Sequence, residues 1–515
     1  MNITFLGHAG FLVETNDCLI LIDAWCNPFG AFDGGWFQLP CNHHMIDEVL
    51  IKFHSSSKQK LVYVSHEHKD HFDPWTLEQL EKYSFTYILP KFRRTLLYDA
   101  IKKFTKNEII LCHDEETFQY GNTLIQLYVD DAELNRDSAI FIKDEKHNFL
   151  DINDCKIHDR FQTIYKTHGK INIFAAQFSG ATWHPTCYDY TLEEYQNISS
   201  KKIRSKFESV ARGIEILQCD VYIPSAGPAC FLDPQLISMN FETVNIFPRE
   251  QVIETFLGKR LKHDYTKVNT MYPGDILDEN LQLHSTFNKI QYQENFETYI
   301  QTYAKNMNDF FERRKKQNTY KESILEELSK VFQAKLEKFI SHKKIERNLY
   351  IGVNEIENAW ICIDFVQAKS SIVYSIPAEN YYLLKASTID FNRVLEGYMT
   401  WEDFSLAFRM RLNREPDIYQ VLMQGFLILE VDDLEHFCNH ISNLENSHER
   451  ITIEAGGNKY SINRYCPHQG ADLKYAWIEE ERYLVCPRHR WRFDLNNEGN
   501  CERNSGCIHA IAFSE

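Results

Sequence analysis

Residues 61–83 read LVYVSHEHKDHFDPWTLEQLEKY, and their order decides the fold of the first half of the chain. Leu61–Val64 is a short apolar run of β-formers, which predicts a buried strand. SHEHKDH is a polar loop. Asp73 then stands as an N-cap with Pro74 at the first helical position, so WTLEQLEKY reads as a helix. Ligand-type residues therefore sit in a loop at the C-terminal end of a strand, where an α/β scaffold places its chemistry. The loop carries His66, His68, Asp70 and His71. His66 and His68 can reach one metal ion, and Asp70 and His71 point to a second. Imidazole and carboxylate together suit iron, manganese or zinc.

The flanking sequence extends the strand–helix alternation. Ile3–Phe5, Phe11–Glu14 and Leu19–Asp23 are apolar β-rich runs separated by turns, and TYILP, EIILC, TLIQLYV, AIFIK, NFLDIN, INIFAAQF and CDVYIPSAG follow. H-x-H-x-D-H in this setting is the metal-binding signature of the metallo-β-lactamase fold. The expected fold class is α/β: an αββα metallo-β-lactamase sandwich over 1–245, serving as the metal-binding catalytic domain. Further candidate ligands are Asp154 after NFLDIN, Glu133 between two strands, and His184 in ATWHPTC; for each, an ordinary solvated or buried side chain is the competing reading. His8 in FLGHAG follows the first strand, and its neighbouring glycines allow close approach. Asp70 and His8 are thus the expected catalytic residues. Asp23, ending LILID, is expected to orient a histidine rather than bind metal. His43, His44 and His113 read as surface histidines.

A second motif lies near the C-terminus. Cys466 and His468 form C-P-H, and after 17 residues Cys486 and His489 form C-P-R-H. Each loop offers one thiolate and one imidazole from a turn stiffened by Pro467 or Pro487. That is the ligand set of a Rieske [2Fe–2S] cluster, in which two imidazoles replace two thiolates on one iron and raise the potential. A Cys₂His₂ zinc site is the alternative, but zinc fingers usually pair like with like. CPHQGA and CPRHRW lack the extra cysteines of the membrane-complex type, so the soluble type is expected. Cys501 and Cys507 read as ordinary thiols.

Length and composition set the bounds. The 515 residues favour about three domains. Hydrophobic residues make up 43% and charged residues 25%, ordinary for packed cores. A net charge of −17 argues against a nucleic-acid binder. The 14 cysteines are scattered, many within apolar runs, which fits a reducing compartment. No signal-like segment or 18-residue apolar span is evident, so a cytoplasmic protein with no membrane partner is expected. Residues 246–346 read as a helical extension, 347–446 as a small α+β region ending in a connector from 433, and 447–515 as an all-β Rieske domain.

The two halves together resemble the cytidine monophosphate N-acetylneuraminic acid hydroxylase family. ITFLGHAGFLVE, the IDAW step, GGWFQLP, the metal loop quoted above, VYIPSAGPA and FRMRLNREPDIYQ are similar to segments of that family. The similarity covers most of 1–245 and about 395–430. It implies a cytosolic monooxygenase of a nucleotide sugar, fed electrons by a reductase chain. Two features depart from the family pattern: the Rieske domain comes last instead of first, and ATWHPTC replaces a glycine-rich loop and adds a histidine.

The expected function is a Rieske-coupled non-haem iron oxygenase, with one or two irons, zinc or manganese being open. It would use O₂ and electrons from a reductase, ferredoxin or cytochrome on a small polar substrate, with a nucleotide sugar as one class. A homo-oligomer is compatible with this. Arg409, Arg411 and Arg414 suit phosphate, while ion pairing with neighbouring acids is the competing reading. The alternative function is a metal-dependent hydrolase of a lactone or phosphodiester with a regulatory Rieske domain.

Overall fold

Strand alternation builds the first half. In a computed structural model describing residues 1–317, 321, 323–501 and 506–513, the chain divides into two units. The first comprises Met1–Asp131, Asn135–Ala181 and Leu192–Phe310. It opens with β1 (Asn2–Gly7), β2 (Gly10–Glu14), β3 (Cys18–Ile22), β4 (Gln59–Tyr63), β5 (Thr86–Pro90) and β6 (Glu108–Cys112). The next strands are β7 (Thr117–Tyr120), β8 (Thr123–Asp130), β9 (Asp137–Lys143), β10 (Asn148–Asn153), β11 (Ile173–Gln177), β12 (Val221–Ser225) and β13 (Lys267–Val268). Two short strands, β14 (Ile276–Leu277) and β15 (Leu283–His284), return to the first sheet.

The sheet orders are β15-β14-β1-β2-β3-β4-β5-β6 and β13-β12-β11-β10-β9-β8-β7. Successive side chains alternate between the faces of each sheet. Cys18, Ile20 and Ile22 accordingly point into a core shared with Ile125, Leu127, Ile140, Ile142 and Phe149 of the second sheet. Leu19 and Leu21 point the other way, toward helices α1 (Met45–Ser55), α2 (Pro74–Leu80) and α3 (Leu96–Lys102). The outer face of the second sheet is covered by α4 (Phe161–His168), α5 (Leu192–Leu217) and α6 (Glu250–Arg260). This is the αββα sandwich that the sequence predicts.

The first unit runs past residue 245. Strands β13–β15 lie inside the stretch read as a helical extension, and they complete both sheets. Two-residue strands carry no alternation that sequence reading can detect. Helices α7 (Lys289–Glu294), α8 (Phe296–Asn306), α9 (Asn308–Lys316) and α10 (Ile324–Lys338) follow as expected. No helix among the described residues is long and apolar enough to cross a membrane.

The second unit comprises Ala132–Leu134, Thr182–Thr191 and Phe311–Glu515. Its five-stranded sheet has the order β18-β17-β16-β19-β20, from β16 (Asn348–Val353), β17 (Trp360–Asp364), β18 (Lys369–Val373), β19 (Tyr381–Ala386) and β20 (Arg411–Glu415). Helices α11 (Thr388–Leu395), α12 (Trp401–Leu406) and α13 (Val421–Ile428) come next. The connector expected over 433–446 is largely helix α14 (Leu434–Glu445), which buries Leu434, Phe437, Cys438 and Ile441. Gly425 of α13 lets this helix approach, because a Cβ there would fall 2.1 Å from the Phe437 ring.

The C-terminal strands β21 (Arg450–Ala455), β22 (Asn458–Asn463), β23 (Trp477–Glu479), β24 (Tyr483–Val485), β25 (Arg492–Asp494), β26 (Asn500–Cys501) and β27 (Ile511–Phe513) form two small antiparallel sheets. Tyr460, Ile462, Leu473, Leu484, Phe493 and Ile508 fill the core between them.

The metal loop is pinned from below by Asp73. Its carboxylate accepts from the N–H groups of Trp75 (3.2 Å), Cys26 (3.2 Å) and Asn27 (3.0 Å) and from the Thr76 hydroxyl (2.5 Å). Asp73→Ala removes a cap worth about 1 kcal/mol and leaves buried donors unsatisfied at roughly 1–3 kcal/mol each. We expect a loss of about 3 kcal/mol, seen as an earlier urea midpoint for the first unit.

Candidate metal centre and cluster site

Strand ends of the first unit deliver the metal centre. At the β1–β2 turn, Gly7 has φ 107° and lies so close to Asn42 that a Cβ would sit 2.8 Å from its Nδ2. Asn42 Nδ2 donates to the carbonyls of Leu6 (2.6 Å) and Trp25 (2.9 Å), which fixes the turn. His8 follows with φ 54°, and its Nε2 lies 3.0 Å from Asp70 Oδ2.

Asp23, at the end of β3, is completely buried. It accepts from Ser65 N–H (2.8 Å), Ser65 Oγ (2.6 Å), Asn153 Nδ2 (3.1 Å) and His71 Nδ1 (2.8 Å). The last bond is the orienting role read from LILID, and it turns His71 Nε2 toward the site. That nitrogen is buried and makes no hydrogen bond. It lies 3.7 Å from Asp70 Oδ2 and 3.8 Å from Asp154 Oδ2. Asp154 Oδ1 is likewise buried without a hydrogen-bond partner.

His66 is held by Ser65 Oγ at 2.9 Å and by Asp137 Oδ1 at 3.1 Å, both on Nδ1. Its Nε2 lies 2.9 Å from Nδ1 of His68. Two groups of donor atoms fall within 4.8 Å of one another: His8, Asp70 and His71, and His66, His71 and Asp154.

The electrostatics describe a site that favours a cation. Burial lowers the His66 imidazole to about 3, helped by the nearby His71 and His68. Burial also opposes charge on His71, but Asp70, the Asp23 hydrogen bond and Asp154 hold it well above the ordinary histidine range. Asp70 is disfavoured as an anion by burial, yet His71 and His8 hold it below the carboxylate range. Burial and the Asp154 charge push Asp137 well up, and burial and Asp23 do the same to Asp151. Five carboxyl groups thus lie close to one buried imidazole, and together they favour positive charge there. The bare Nε2 of His71 and Oδ1 of Asp154, with this carboxylate excess, fit a divalent metal ion of the iron, manganese or zinc type.

His8, His66, His68, Asp70, His71 and Asp154 are therefore brought together. Glu133 and His184 are not part of either donor group and belong to the second unit. Glu133 Oε1 pairs with His436 Nε2 at 2.9 Å, and His184 Nε2 meets the Tyr190 hydroxyl at 3.0 Å. His44 and His113 are exposed, whereas His43 is half-buried against Tyr303, and burial lowers it to about 4. Asp137 and Asp151 escaped the sequence reading. Asp151 was detectable as a charge inside the wholly buried run NFLDIN. Arg414 is engaged by Asp417, with Nε donating to Oδ1 at 2.7 Å, so ion pairing holds for that arginine.

In the second unit, the two cysteine–histidine loops repeat one turn. Cys466 N–H donates to Ala471 O and Gly470 N–H to Cys466 O, both at 2.9 Å. Cys486 N–H donates to Trp491 O (2.9 Å) and Arg490 N–H to Cys486 O (3.0 Å). Gly470 (φ 70°) and Arg490 (φ 56°) occupy the same left-handed position, four residues after each cysteine. The twin turns place Cys466 and Cys486 side by side in the interior, where burial pushes the Cys466 thiol well up. Both thiols are free, and the rings of His468 and His489 lie 4.5 Å apart. Two adjacent buried thiols with two adjacent imidazoles at one edge fit a [2Fe–2S] cluster held by two residues of each kind.

Comparison with known proteins agrees with both domains. The Rieske [2Fe-2S] domain family matches residues 426–511, and the Beta-lactamase superfamily domain matches residues 2–144. A protein of Mycolicibacterium smegmatis described as a Rieske 2Fe-2S iron-sulfur protein is 26% identical over 98% of each chain. The cytidine monophosphate-N-acetylneuraminic acid hydroxylase of Asterias rubens is 24% identical over 82% of this chain and 64% of its own. CmlA, a diiron beta-hydroxylase from Streptomyces venezuelae, aligns over 53% of each chain with 13% identity and a TM-score of 0.36. The chain thus joins a β-lactamase-superfamily domain at its N-terminus to a Rieske [2Fe–2S] domain at its C-terminus, with cytidine monophosphate-N-acetylneuraminic acid hydroxylase as a distant relative.

Proposed function

We propose that this protein is a Rieske-coupled, iron-dependent monooxygenase that hydroxylates a small polar substrate, with nucleotide sugars the first class to screen. The observation that carries the reading is the joint presence of a complete Rieske quartet and a buried imidazole–carboxylate centre. A Rieske cluster moves single electrons, and a hydrolase has no use for them. The balance is R–H + O₂ + 2 e⁻ + 2 H⁺ → R–OH + H₂O. A reductase, ferredoxin or cytochrome would supply the electrons to the cluster that Cys466, His468, Cys486 and His489 would hold.

His66, His68, Asp70, His71 and Asp154 would hold non-haem iron, which would supply the O₂ chemistry. Asp23 and Asp137 hold the imidazoles in their ligating orientation. His8 shares a hydrogen bond with Asp70, so it can hold or return a proton at Asp70 Oδ2. The name of the Asterias rubens relative supports both the hydroxylation and the nucleotide-sugar class.

Metal and sulfide analysis of anaerobically purified protein tests the reading. Iron above the two atoms of the cluster, with the excess lost from a His66→Ala/His68→Ala double variant and a Rieske EPR signal retained, is the expected result. Stoichiometric zinc and turnover without O₂ would instead mark a hydrolase of lactones or phosphodiesters. Cys486→Ser should remove the visible absorbance and all O₂-dependent turnover while leaving the N-terminal metal in place. Asp23→Ala frees the His71 ring, so metal affinity should fall by about 10- to 100-fold, measured by competition with a chelator.

A further inference from the structure

Tyr419 lies outside the cluster loops, between β20 and α13, yet its hydroxyl reaches His468 Nε2 at 3.3 Å. The His468 ring is confined on several sides. Trp491 lies flat on it at 4.5 Å and 9°. Tyr419 meets it edge-on at 5.7 Å and 89°, and Tyr419 meets Trp491 in the same way at 5.8 Å.

The segment that carries Tyr419 is itself clamped. Buried Arg347 donates from Nη1 to Pro416 O (2.6 Å) and from Nη2 to Ile418 O (2.7 Å). Its fork thus grips the backbone immediately before Tyr419. A guanidinium fork is planar and preorganised, so it fixes the geometry of what it binds. Arg414, held by Asp417, lies 4.9 Å over the ring of Tyr188 and closes the same segment.

We propose that Tyr419 is a positioning residue for the Rieske cluster: it fixes the ring of His468 and helps set the cluster potential. A ring engaged through Nε2 must ligate iron through Nδ1. In that neutral ring Nε2–H donates to the Tyr419 hydroxyl oxygen. Such an outer partner makes an imidazole a stronger electron donor to its metal, which favours the oxidised cluster. The inference rests on the Rieske domain and not on the oxygenase reading.

The test uses the full-length protein with its cluster loaded. Tyr419→Phe keeps the ring and removes only the acceptor. The expected outcome is unchanged cluster iron, a midpoint potential raised by about tenfold in the redox equilibrium (~59 mV for one electron), and an altered remote-nitrogen coupling for one histidine in pulsed EPR. Arg347→Lys loosens the segment but retains the phenol, and a smaller rise in the same direction is expected. An unchanged potential and unchanged nitrogen coupling in loaded Y419F overturns the proposal. Failure of both variants to load the cluster overturns it too, since Tyr419 would then be a structural prop.

Discussion

Carboxylate charge, concentrated at one end of the N-terminal sandwich, is the constraint that the rest of this half answers. A lone buried carboxylate is expensive unless it is hydrogen-bonded, paired or neutralised. Asp23 is satisfied by four donors on three residues. Asp70 is held as an anion by His71 and His8, while Asp137 and Asp151 are driven toward the neutral form. These groups in turn hold the buried His71 imidazole well above the ordinary histidine range. A divalent ion would offset their charge better, and it would let His71 Nε2 act as a ligand. The surrounding fold serves the same end: β1, β3, β4 and β10 all deliver their contributions from strand ends, on a scaffold buried on both faces.

The cluster loops solve a different problem by a different route. Two thiols adjoin in the interior, and burial without a counter-charge opposes ionisation of the Cys466 thiol. Here the backbone does the organising. Each loop closes with the same pair of hydrogen bonds around a left-handed residue, and glycine meets that demand in one loop while Arg490 meets it in the other. Arg490 is held in place from outside, with Nη2 donating to Glu479 at 3.0 Å and its guanidinium 4.9 Å from the Trp477 ring. A non-glycine residue at φ > 0 is uncommon, and this one is anchored at its far end.

What could be read from the sequence divides along the same line. His66, His68, Asp70, His71 and the cluster quartet are legible because short spacing on one loop fixes their relative position. The sandwich is legible because runs such as LILID and LVYV carry strong period and composition. Asp137 and Asp151 were not, since they join the site from separate strands and only the sheet order β9-β10 brings them near. Glu133 and His184 lie in the second unit, since closeness to a strand end in sequence does not decide which unit a loop residue joins. Helix α14 resembles a connector in sequence because its packing stripe of Leu434, Phe437, Cys438 and Ile441 is interrupted by polar Asn and His residues.

The geometry of His71 bears directly on how many ions the proposed centre holds. Its Nδ1 is committed to Asp23, so only Nε2 can ligate, and one imidazole nitrogen serves one ion. The two donor groups share His71, so they cannot both be filled. The conflict is resolved if His66 and His68, whose facing nitrogens already lie 2.9 Å apart, serve one ion, and Asp70 and His71, with His8 alongside, serve the other. Asp154 lies with His66 and His71 alike, so its carboxylate would be a further ligand for an ion held there. A second ion matters for electron supply. The proposed hydroxylation would consume two electrons and a Rieske cluster carries one at a time, so two irons would supply room for both electrons, whereas a single iron would need a second delivery.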